Sequence, residues 1–368
     1  MTGTGPTTTP GDGTVLVTGG AGFIGCAVSA ALADRFGRVV ALDSLHPQVH
    51  ARPERPAALD PRVELHVGDV TDPEVWDALL SGVRPDVVVH LAAETGTGQS
   101  LTHATRHASV NVVGTARMLD ALVAHDALPR RVVLTSSRAV YGEGAWRRHD
   151  GTVVQPPQRT AASLAAGEWD VPGATPLPMR ADRVPPAPVS VYGATKLAQE
   201  HVLTSWARAL GVEPVVLRLQ NVYGPGQSLS NPYTGIVSLF CRMARAGRSI
   251  PLYEDGEVRR DFVLVDDVAR AVVAATHVPG VGPEPVDVGS GEHQTIGRAA
   301  AVVAARYGAP APHVTGQFRE GDVRHAWADV ERAAAVLGWR AEHDLEAGID
   351  RLVRWIETQE LPDLPPAA

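Results

Sequence analysis

The sequence predicts a doubly wound α/β fold, in which a parallel sheet is followed by a smaller C-terminal lobe. Short Val- and Leu-rich runs recur, and each is followed by a longer stretch with helical spacing. Continuous apolar runs are typical of strands buried on both faces, and their alternation with helices indicates a parallel sheet. The chain has 368 residues, more than one hydrophobic core usually organises, which leaves room for the lobe.

Six apolar runs predict the strands of the sheet. In chain order they are TVLVTG from Thr14, RVVALD from Arg38, VELHVGD from Val63, DVVVHLA from Asp86, RVVLTSS from Arg131 and EPVVLRL from Glu213. Two later segments, DFVLVDD from Asp261 and DVGSGE from Asp287, predict that the chain returns to the sheet before the lobe is complete. The domain boundaries are therefore expected to be discontinuous.

These elements divide the chain into a sheet domain, at 14–219 plus about 259–289, and a lobe, at about 220–258 plus 290–360. The segment at about 143–189 is long for a connection without structure of its own, so it predicts an insertion that acts as a lid or a contact surface. Residues 1–13 carry neither a basic nor an apolar segment, which predicts a disordered leader rather than a signal peptide.

Composition narrows the classes of partner. With 44% hydrophobic residues and a net charge of -8, the chain is expected to be globular, and nucleic acid or an anionic membrane is disfavoured as its main partner. No apolar run is long enough to cross a bilayer. Cys26 and Cys241 are too far apart in sequence to indicate a metal site or a disulfide framework, so we expect no metal and a cytoplasmic location.

The first strand runs directly into a glycine-rich turn, TGGAGFIG at 18–25, and then into a helix. Gly19, Gly22 and Gly25 allow a tight turn, a close approach of the backbone to a pyrophosphate, and close packing of helix on strand. Asp43 ends the second strand, about 20 residues further on, where the dinucleotide-binding fingerprint of Rossmann domains has an acidic residue. The sheet domain is therefore predicted to bind a dinucleotide.

Asp43 also selects the cofactor. A carboxylate there accepts hydrogen bonds from a ribose 2′-hydroxyl and repels a 2′-phosphate, so NAD is predicted rather than NADP. Ligands bind at the carboxyl ends of the strands in open α/β sheets, which adds strand-end residues to the site. The predicted cofactor-binding residues of the turn and the strand ends are Gly19, Gly22, Phe23, Ile24, Gly25, Asp43, Ser44, Asp69, Val70, Leu91, Ala92 and Ala93.

The stretch VYGATK, residues 191–196, places Tyr192 and Lys196 on one face of a helix. A lysine ammonium beside a phenol favours the phenolate and lowers the pKa of the tyrosine, which makes that side chain a usable general base. A packed ring beside a solvated charge has the same spacing, so the context of the pair must decide its role.

The motifs together resemble the extended short-chain dehydrogenases/reductases, and among them the NAD-dependent nucleotide-sugar epimerase/dehydratase family of the UDP-galactose 4-epimerase type. They follow the family order from about residue 14 to 340: TGGAGFIG, GDV, HLAAETGTGQS, NVVGT, TSSRAVYG, YGATK, RLQNVYGPG, RRDFVLVDDVA, VGSG and REGDVRHAWAD. The resemblance implies NAD as cofactor, a nucleotide-diphosphate sugar as substrate, and a homodimer that forms through two helices of each subunit.

The resemblance also implies roles for individual residues. Tyr192 would take the proton from a sugar hydroxyl, Lys196 would hold the nicotinamide ribose, and Ser137 would donate a hydrogen bond to the same sugar oxygen. Asn111 corresponds to the family asparagine near the cofactor. The implied substrate-binding residues are Ser137, Asn221, Arg260, Arg319 and Asp322. The two arginines among them would bind the diphosphate, because a guanidinium pairs with phosphate through charge-assisted hydrogen bonds.

Departures from the family pattern reduce the number of reactions that the chain is expected to catalyse. Dehydratases of the family resemble TDEVYG at the end of the fifth strand, whereas this chain has Arg138 and Ala139 in place of the two carboxylates. Pentose-forming decarboxylases keep a glutamate where Ala139 stands. Asp287 also departs, since relatives often have asparagine there. What remains, the Ser–Tyr–Lys set with NAD, suffices for a 4-epimerase and also for a dehydrogenase or 4-ketoreductase.

We predict a 4-epimerase of a dTDP- or UDP-hexose, because Asp43 and NAD suit a cofactor that is retained through the cycle, while reductases commonly use NADPH. The SSRAVYG variant, the long insertion and the stretch PYTGIVSLF resemble the dTDP-L-rhamnose 4-epimerase-like subgroup. The alternative is an NAD(P)-dependent nucleotide-sugar dehydrogenase or 4-ketoreductase. A regulatory NAD sensor ranks lower, because such proteins usually lack the tyrosine–lysine pair. The nucleotide base, the sugar and the inverted carbon stay open at this point.

Overall fold

A computed structural model describes residues 11–50, 52–229, 231 and 235–361. The predicted leader lies mainly outside the described residues, as do residues 232–234 of the stretch PYTGIVSLF. In the described part of the chain, no helix combines the length and the hydropathy that crossing a bilayer would require.

The strands are numbered in chain order within the described residues. They are β1 Thr14–Thr18, β2 Arg38–Asp43, β3 Glu64–Val67, β4 Val87–His90, β5 Arg131–Ser137, β6 Trp146–Arg148, β7 Val153–Val154, β8 Ala174–Pro176, β9 Glu213–Leu219, β10 Asn221–Tyr223, β11 Pro251–Leu252, β12 Arg259–Arg260, β13 Phe262–Leu264, β14 Val286–Val288, β15 Gln294–Thr295, β16 His313–Val314 and β17 His325–Ala326.

The helices are numbered in the same way. They are α1 Phe23–Ala33, α2 Pro73–Gly82, α3 Thr97–Ser100, α4 Ala104–Ala108, α5 Gly114–Ala124, α6 Ala161–Ala165, α7 Val191–Leu210, α8 Ile236–Arg245, α9 Val265–Ala275, α10 Ile296–Tyr307, α11 Glu331–Leu337 and α12 Leu345–Ile356. A π-helical turn, Ser109–Val113, joins α4 to α5, and a 3₁₀ turn, Arg138–Tyr141, follows β5.

The main sheet is parallel and has the strand order β14-β9-β5-β4-β1-β2-β3. This confirms the predicted doubly wound fold class, and all six predicted strands are present. The strand order reverses between β1 and β4, the type of position where open α/β sheets bind ligands. Thr18 lies opposite both Leu42 and His90, so β1, β2 and β4 end at the same level. The segments that follow these strands therefore meet at one edge of the sheet.

Burial on both faces explains the continuous apolar runs. In β1, Val15 and Val17 pack into a core that contains residues of α1 and α9, such as Val28 and Val272. Leu16, between them in sequence, faces the opposite core with residues of α2, α5 and α7. Because successive side chains of a strand point to opposite faces, each must be apolar when both faces are covered.

The return of the chain to the sheet occurs at only one of the two segments expected to contribute. β14 pairs with β9 at the edge of the main sheet, whereas β13 pairs with β10 in a separate two-stranded sheet. β13 has only three residues, because α9 begins directly after it at Val265. The lobe has a core of its own, in which residues of α8, α10 and α12 pack together.

The insertion between β5 and α7 forms a small antiparallel sheet of β7, β6 and β8, followed by connections to the lobe. Arg159 of the insertion pairs with Glu254 of the lobe at 2.9 Å, and Asp170 pairs with Arg324 at 3.0 Å. Arg324 is almost fully buried. Of the two predicted roles, lid or contact surface, these ion pairs support contact with the lobe.

Candidate active site

A cavity of about 690 Å³ opens at the carboxyl edge of the main sheet, on the side of the switch point. Its walls come from the ends of β1, β2, β3, β4 and β5, from the first turns of α1 and α7, and from the start of the lobe. We divide the lining by the roles that the sequence predicts. The part called the cofactor end comprises the turn after β1 and Asp43, and the part called the sugar end comprises Ser137, Tyr192 and Asn221.

The glycine turn at the cofactor end depends on backbone contacts that a side chain would prevent. Gly19 has a φ of 67°, and a Cβ there would lie 2.8 Å from the backbone nitrogen of Ala92. A Cβ on Gly25 would lie 2.5 Å from the carbonyl oxygen of Gly20. Helix α1 begins after Gly22 without a side-chain cap. The amide groups of its first turn are therefore available to an anion such as a pyrophosphate.

Asp43 is fixed at the end of β2 by backbone donors. Its Oδ2 accepts from the Ala21 nitrogen at 3.0 Å, and its Oδ1 accepts from the Leu45 nitrogen at 2.9 Å. His50 lies 3.6 Å from the same carboxylate. Each carboxylate oxygen keeps a further lone pair, so the group can still accept hydrogen bonds from a ribose.

Eight other residues that the sequence predicted to bind the cofactor line the cavity. The cavity lining includes Phe23, Ile24, Ser44, Asp69, Val70, Leu91, Ala92 and Ala93. Asn111 is an exception, because it is fully buried behind the lining. Its side chain accepts from the Glu94 nitrogen at 2.7 Å and donates to Thr195 Oγ1 at 3.0 Å. It lies in the π-helical turn, and these hydrogen bonds connect the β4 loop to α7.

Helix α7 brings Tyr192 to the end of β5. Ser190 caps the helix by accepting from the Gly193 nitrogen at 3.1 Å. A Cβ on Gly193 would lie 2.4 Å from the Ala139 carbonyl, so the helix packs directly on the turn that follows Ser137. Ser137 and Tyr192 both line the cavity as a result.

Burial raises the pKa of Tyr192, while its hydrogen bond with Ser137 and the nearby charge of Arg138 act to lower it. The sequence predicts instead that Lys196 lowers the pKa of Tyr192. In the structure the Lys196 amino group donates instead to the side chain of Gln199. Burial lowers the pKa of Lys196 to about 7, and Glu200 opposes that shift. Burial therefore disfavours the charged form of this amino group.

A buried chain of hydrogen bonds, which sequence reasoning missed, fixes Lys196. Gln199 donates to Thr115 Oγ1 at 2.8 Å, and Thr115 contacts His90 Nε2 at 2.9 Å. His90 Nδ1 contacts Thr18 Oγ1 at 2.6 Å. Burial lowers the pKa of His90 to about 3, so the ring is neutral. These hydrogen bonds link the end of β1 to α7. No local sequence motif indicates them, because the residues that form them come from four separate segments.

The predicted substrate residues do not all come together. Asn221 lines the cavity and accepts from Arg138 Nε at 2.7 Å. Arg260 is buried outside the lining, where its two Nη atoms donate to the carbonyls of Arg259, Val323 and Arg324. Arg319 is exposed and lies over the ring of Tyr253, 4.9 Å from the ring centroid. Asp322 also lies outside the lining, and its carbonyl accepts from Arg159.

Sequence reasoning missed several polar residues of the lining. Gln48, in the loop after β2, exchanges hydrogen bonds with Gln99 at 2.9 and 3.0 Å and donates to Asn231 of the lobe at 3.4 Å. Arg106 pairs with Glu94 at 2.7 Å. Arg138 could have been found, because it stands in the family motif at a carboxylate position. The described ranges contain no group of His, Cys, Asp and Glu side chains that could hold a metal ion.

The sequence of this chain is similar to those of known proteins. Residues 15–289 match the model of the NAD-dependent epimerase/dehydratase family. The chain is 59% identical over 347 residues to dTDP-L-rhamnose 4-epimerase of Burkholderia thailandensis, a match that covers 94% of this chain and 95% of that protein.

Two solved structures have similar folds. The UDP-glucose 4-epimerase of Thermotoga maritima with UDP-glucose has a TM-score of 0.76 and 26% identity, covering 94% of this chain and 98% of that one. The UDP-glucose 4-epimerase of Thermus thermophilus in complex with NAD has a TM-score of 0.73 and 28% identity, with coverage of 94% and 99%.

Proposed function

The chain belongs to the NAD-dependent epimerase/dehydratase family and is an NAD-dependent nucleotide-sugar epimerase; on that premise, we propose that it inverts carbon 4 of dTDP-L-rhamnose. The substrate is suggested by the name of the relative that is 59% identical over 94% of this chain. The observation that carries the proposal is the cavity in which the glycine turn and Asp43 lie together with Ser137, Tyr192 and Lys196. A cofactor and a sugar can therefore meet at the reacting side chains.

The cofactor end fits NAD. The amides at the start of α1 have no side-chain cap and can bind the pyrophosphate, which the glycine turn allows to approach the backbone closely. Asp43 can accept from the adenosine ribose, and Lys196 lies on the wall where the nicotinamide ribose would bind. The chemistry that NAD supplies when bound is reversible hydride acceptance, which takes the carbon 4 alcohol to a ketone and back.

Tyr192 handles the proton in this proposal. Its phenolate accepts the proton of the carbon 4 hydroxyl during oxidation, and the resulting phenol returns a proton when the ketone is reduced on its other face. Ser137 Oγ accepts from the Ala139 nitrogen at 3.2 Å and is hydrogen-bonded to Tyr192; in this proposal its hydroxyl turns to donate to the sugar oxygen when the sugar is bound. No net oxidation results, because each group returns to its starting state.

The proposal includes a homodimer in the cytoplasm. Its support is the two-helix interface that the family resemblance implies, and the exposed apolar side chains of Val113 and Val123 on the π-helical turn and α5. Both cysteines are free, as expected in a reducing compartment. Light scattering of the purified protein should give twice the mass of the chain.

The decisive experiment follows epimerisation by NMR after dTDP-L-rhamnose is added to the purified protein without added nucleotide. We expect a single new epimer, no accumulation of reduced cofactor, and NAD as the dinucleotide released on denaturation. Tyr192→Phe should lower kcat by about 10²–10⁴-fold, the usual contribution of a general acid–base, while NAD and the fold are retained. Tyr307→Phe, on the lobe core away from the cavity, is the matched control and should match the parent.

Two results would contradict the proposal. Near-parental turnover by Tyr192→Phe would remove the tyrosine from the chemistry. A requirement for stoichiometric NAD(P)H, with net oxidation or reduction of the sugar, would instead identify a dehydrogenase or ketoreductase.

A further inference from the structure

Two side-chain contacts join the loop after β2 to the segment after β4. Gln48 Nε2 donates to Gln99 Oε1 at 2.9 Å, and Gln99 Nε2 donates to Gln48 Oε1 at 3.0 Å, so each amide is both donor and acceptor to the other. Two residues earlier in the loop, the ring of His46 contacts Arg106 Nη2 at 2.9 Å. Arg106 is held in turn by Glu94, which accepts from its Nε at 2.7 Å. We call the two contacts the strap.

The strand order shows what the strap crosses. β1 lies between β2 and β4 in the sheet, so a contact between the segments that follow β2 and β4 has to pass across the end of β1. Neighbouring strands are about 4.8 Å apart, which separates β2 from β4 by roughly 10 Å. Gln48, His46 and Arg106 line the same cavity as the glycine turn that follows β1. A dinucleotide held at the start of α1 therefore lies in the crevice that the strap crosses.

The two sides of the strap are ordered independently of each other. On the β2 side, Asp43 accepts from the Leu45 nitrogen at 2.9 Å, and Leu45 has a φ of 49°, a left-handed conformation that is unusual for leucine. Two later backbone nitrogens of the loop donate to the His46 carbonyl at 2.9 Å and close a turn around Gln48. On the β4 side, Gln99 is buried in α3. Two prearranged amides meet with little further loss of conformational entropy.

We infer that the strap is a gate for the cofactor, which must open for NAD to enter or leave the crevice and which keeps NAD bound between catalytic cycles. The inference rests on the proposed function, in which one bound NAD accepts the hydride and then returns it. An epimerase that released NADH between these two half-reactions would leave the sugar as a ketone, so slow exchange of the cofactor protects the product. Gln48 and Gln99 are positioning residues in this scheme.

The test removes the amide pair from either side, with Gln99→Ala, Gln48→Ala and the double variant. Gln99→Ala is the cleaner change, because it leaves the contact of Gln48 with Asn231 in place. Protein loaded with NADH is mixed with excess NAD, and the loss of NADH fluorescence gives the dissociation rate. We expect dissociation about tenfold faster in each single variant, because two neutral hydrogen bonds are lost. The double variant should be no faster, since both substitutions break the same pair.

Leu101→Ala is the matched control, because Leu101 lies on the same segment as Gln99 and is 62% exposed. Its NADH dissociation rate should equal that of the parent. Unchanged dissociation in both Gln48→Ala and Gln99→Ala would overturn the inference.

The equilibrium affinity separates a gate from a contact residue. A gate slows entry and exit alike, so the Kd for NADH in Gln99→Ala should change less than about threefold while dissociation accelerates. Fluorescence titration of NADH into protein stripped of its dinucleotide measures this Kd. A Kd that rises in proportion to the dissociation rate would also overturn the inference, because Gln99 would then act by stabilising bound cofactor. If the parent does not convert dTDP-L-rhamnose, the proposed substrate fails, while NADH exchange still decides the role of the strap.

Discussion

The two ends of the cavity are constructed differently. The cofactor end consists largely of backbone, with Gly19 and Gly25 in contacts that exclude a Cβ and Asp43 held by two main-chain N–H groups. The sugar end consists of side chains from separate segments, among them Arg138, Tyr192 and Asn221. A site formed by backbone is fixed by a few adjacent residues, whereas a site formed by side chains depends on how distant segments pack.

Substitutions are expected to act differently at the two ends of the cavity. At the cofactor end a single added methyl group meets main chain that cannot move away. At the sugar end each side chain has its own partners, so a substitution removes one contact and leaves the neighbouring ones. We therefore expect all-or-none effects at the first end and graded effects at the second.

Gly25→Ala should give the largest effect. The new Cβ would lie 2.5 Å from the Gly20 carbonyl and 2.6 Å from the Gly19 carbonyl, so α1 must shift away from the turn that is proposed to hold the pyrophosphate. We expect the purified variant to lack bound NAD, or to bind it more than about 100-fold more weakly, a change of about 2.7 kcal/mol or more. Calorimetric titration with NAD measures this directly.

Gly82→Ala is the matched control for the methyl group itself. Gly82 ends α2, and a Cβ there meets nothing within 4 Å. This variant should bind NAD like the parent and be slightly more stable, because alanine is the better helix former. If Gly25→Ala bound NAD equally well, the cofactor end would not depend on close backbone contact.

An intermediate effect is expected at the arginines that the family resemblance assigns to the diphosphate. Loss of a charge-assisted hydrogen bond costs about 1.5–3 kcal/mol, roughly ten- to a hundredfold in affinity for the nucleotide sugar. Both guanidinium groups lie outside the cavity lining, so the family assignment requires the nucleotide sugar to extend beyond that lining. On that assignment, Arg260→Ala and Arg319→Ala should each show this loss with NAD still bound. Only Arg260→Ala should also lower the melting temperature, because its guanidinium donates to three backbone carbonyls and Arg319 is exposed.

Arg319→Lys separates charge from geometry, since it keeps a cation without the planar fork. It should recover part of the affinity that Arg319→Ala loses. Unchanged affinity in both alanine variants would place the diphosphate elsewhere. The Nη atoms of Arg138, which have no hydrogen-bond partner within the described residues, would then be the first alternative.

The smallest effect on activity is expected behind the sugar end, at Asp287. Its Oδ1 accepts from the Tyr141 hydroxyl at 2.7 Å and its Oδ2 accepts from the Ala181 nitrogen at 2.9 Å. Burial raises the pKa of Asp287 to about 7. The native state therefore binds a proton that the unfolded chain releases at about pH 4, and stability should fall as the pH rises from about 4 to 7.

Asp287→Asn should remove that dependence. The free energy of unfolding of the parent should decline relative to the variant by at most about 1.4 kcal/mol per pH unit within this window, and the difference should be constant above it. Denaturant unfolding at several pH values measures the slope, and epimerase activity should stay near the parental level. Parallel stability curves for the two proteins would show that Asp287 ionises normally.

The sequence by itself determined the parts of the molecule that depend on neighbours along the chain. The continuous apolar runs specify strands covered on both faces, and all six predicted strands lie in the main sheet. The glycine turn and Asp43 are separated by one helix and one strand, so their proximity follows from the β1-α1-β2 unit alone. The family and the cofactor followed from the same motifs, and the comparisons confirm both.

Only the tertiary structure decided which side chains surround the predicted base, Tyr192. The i, i+4 spacing put Lys196 on the correct helix face, but its amino group is buried and donates to Gln199, which is held in turn by Thr115. Arg138 joins the cavity lining from another element, and Arg260 and Arg319 lie outside the lining although their motifs match the family. Electrostatic effects depend on distance and burial in space, which sequence separation does not determine, so side-chain chemistry at the sugar end was fixed by packing between segments.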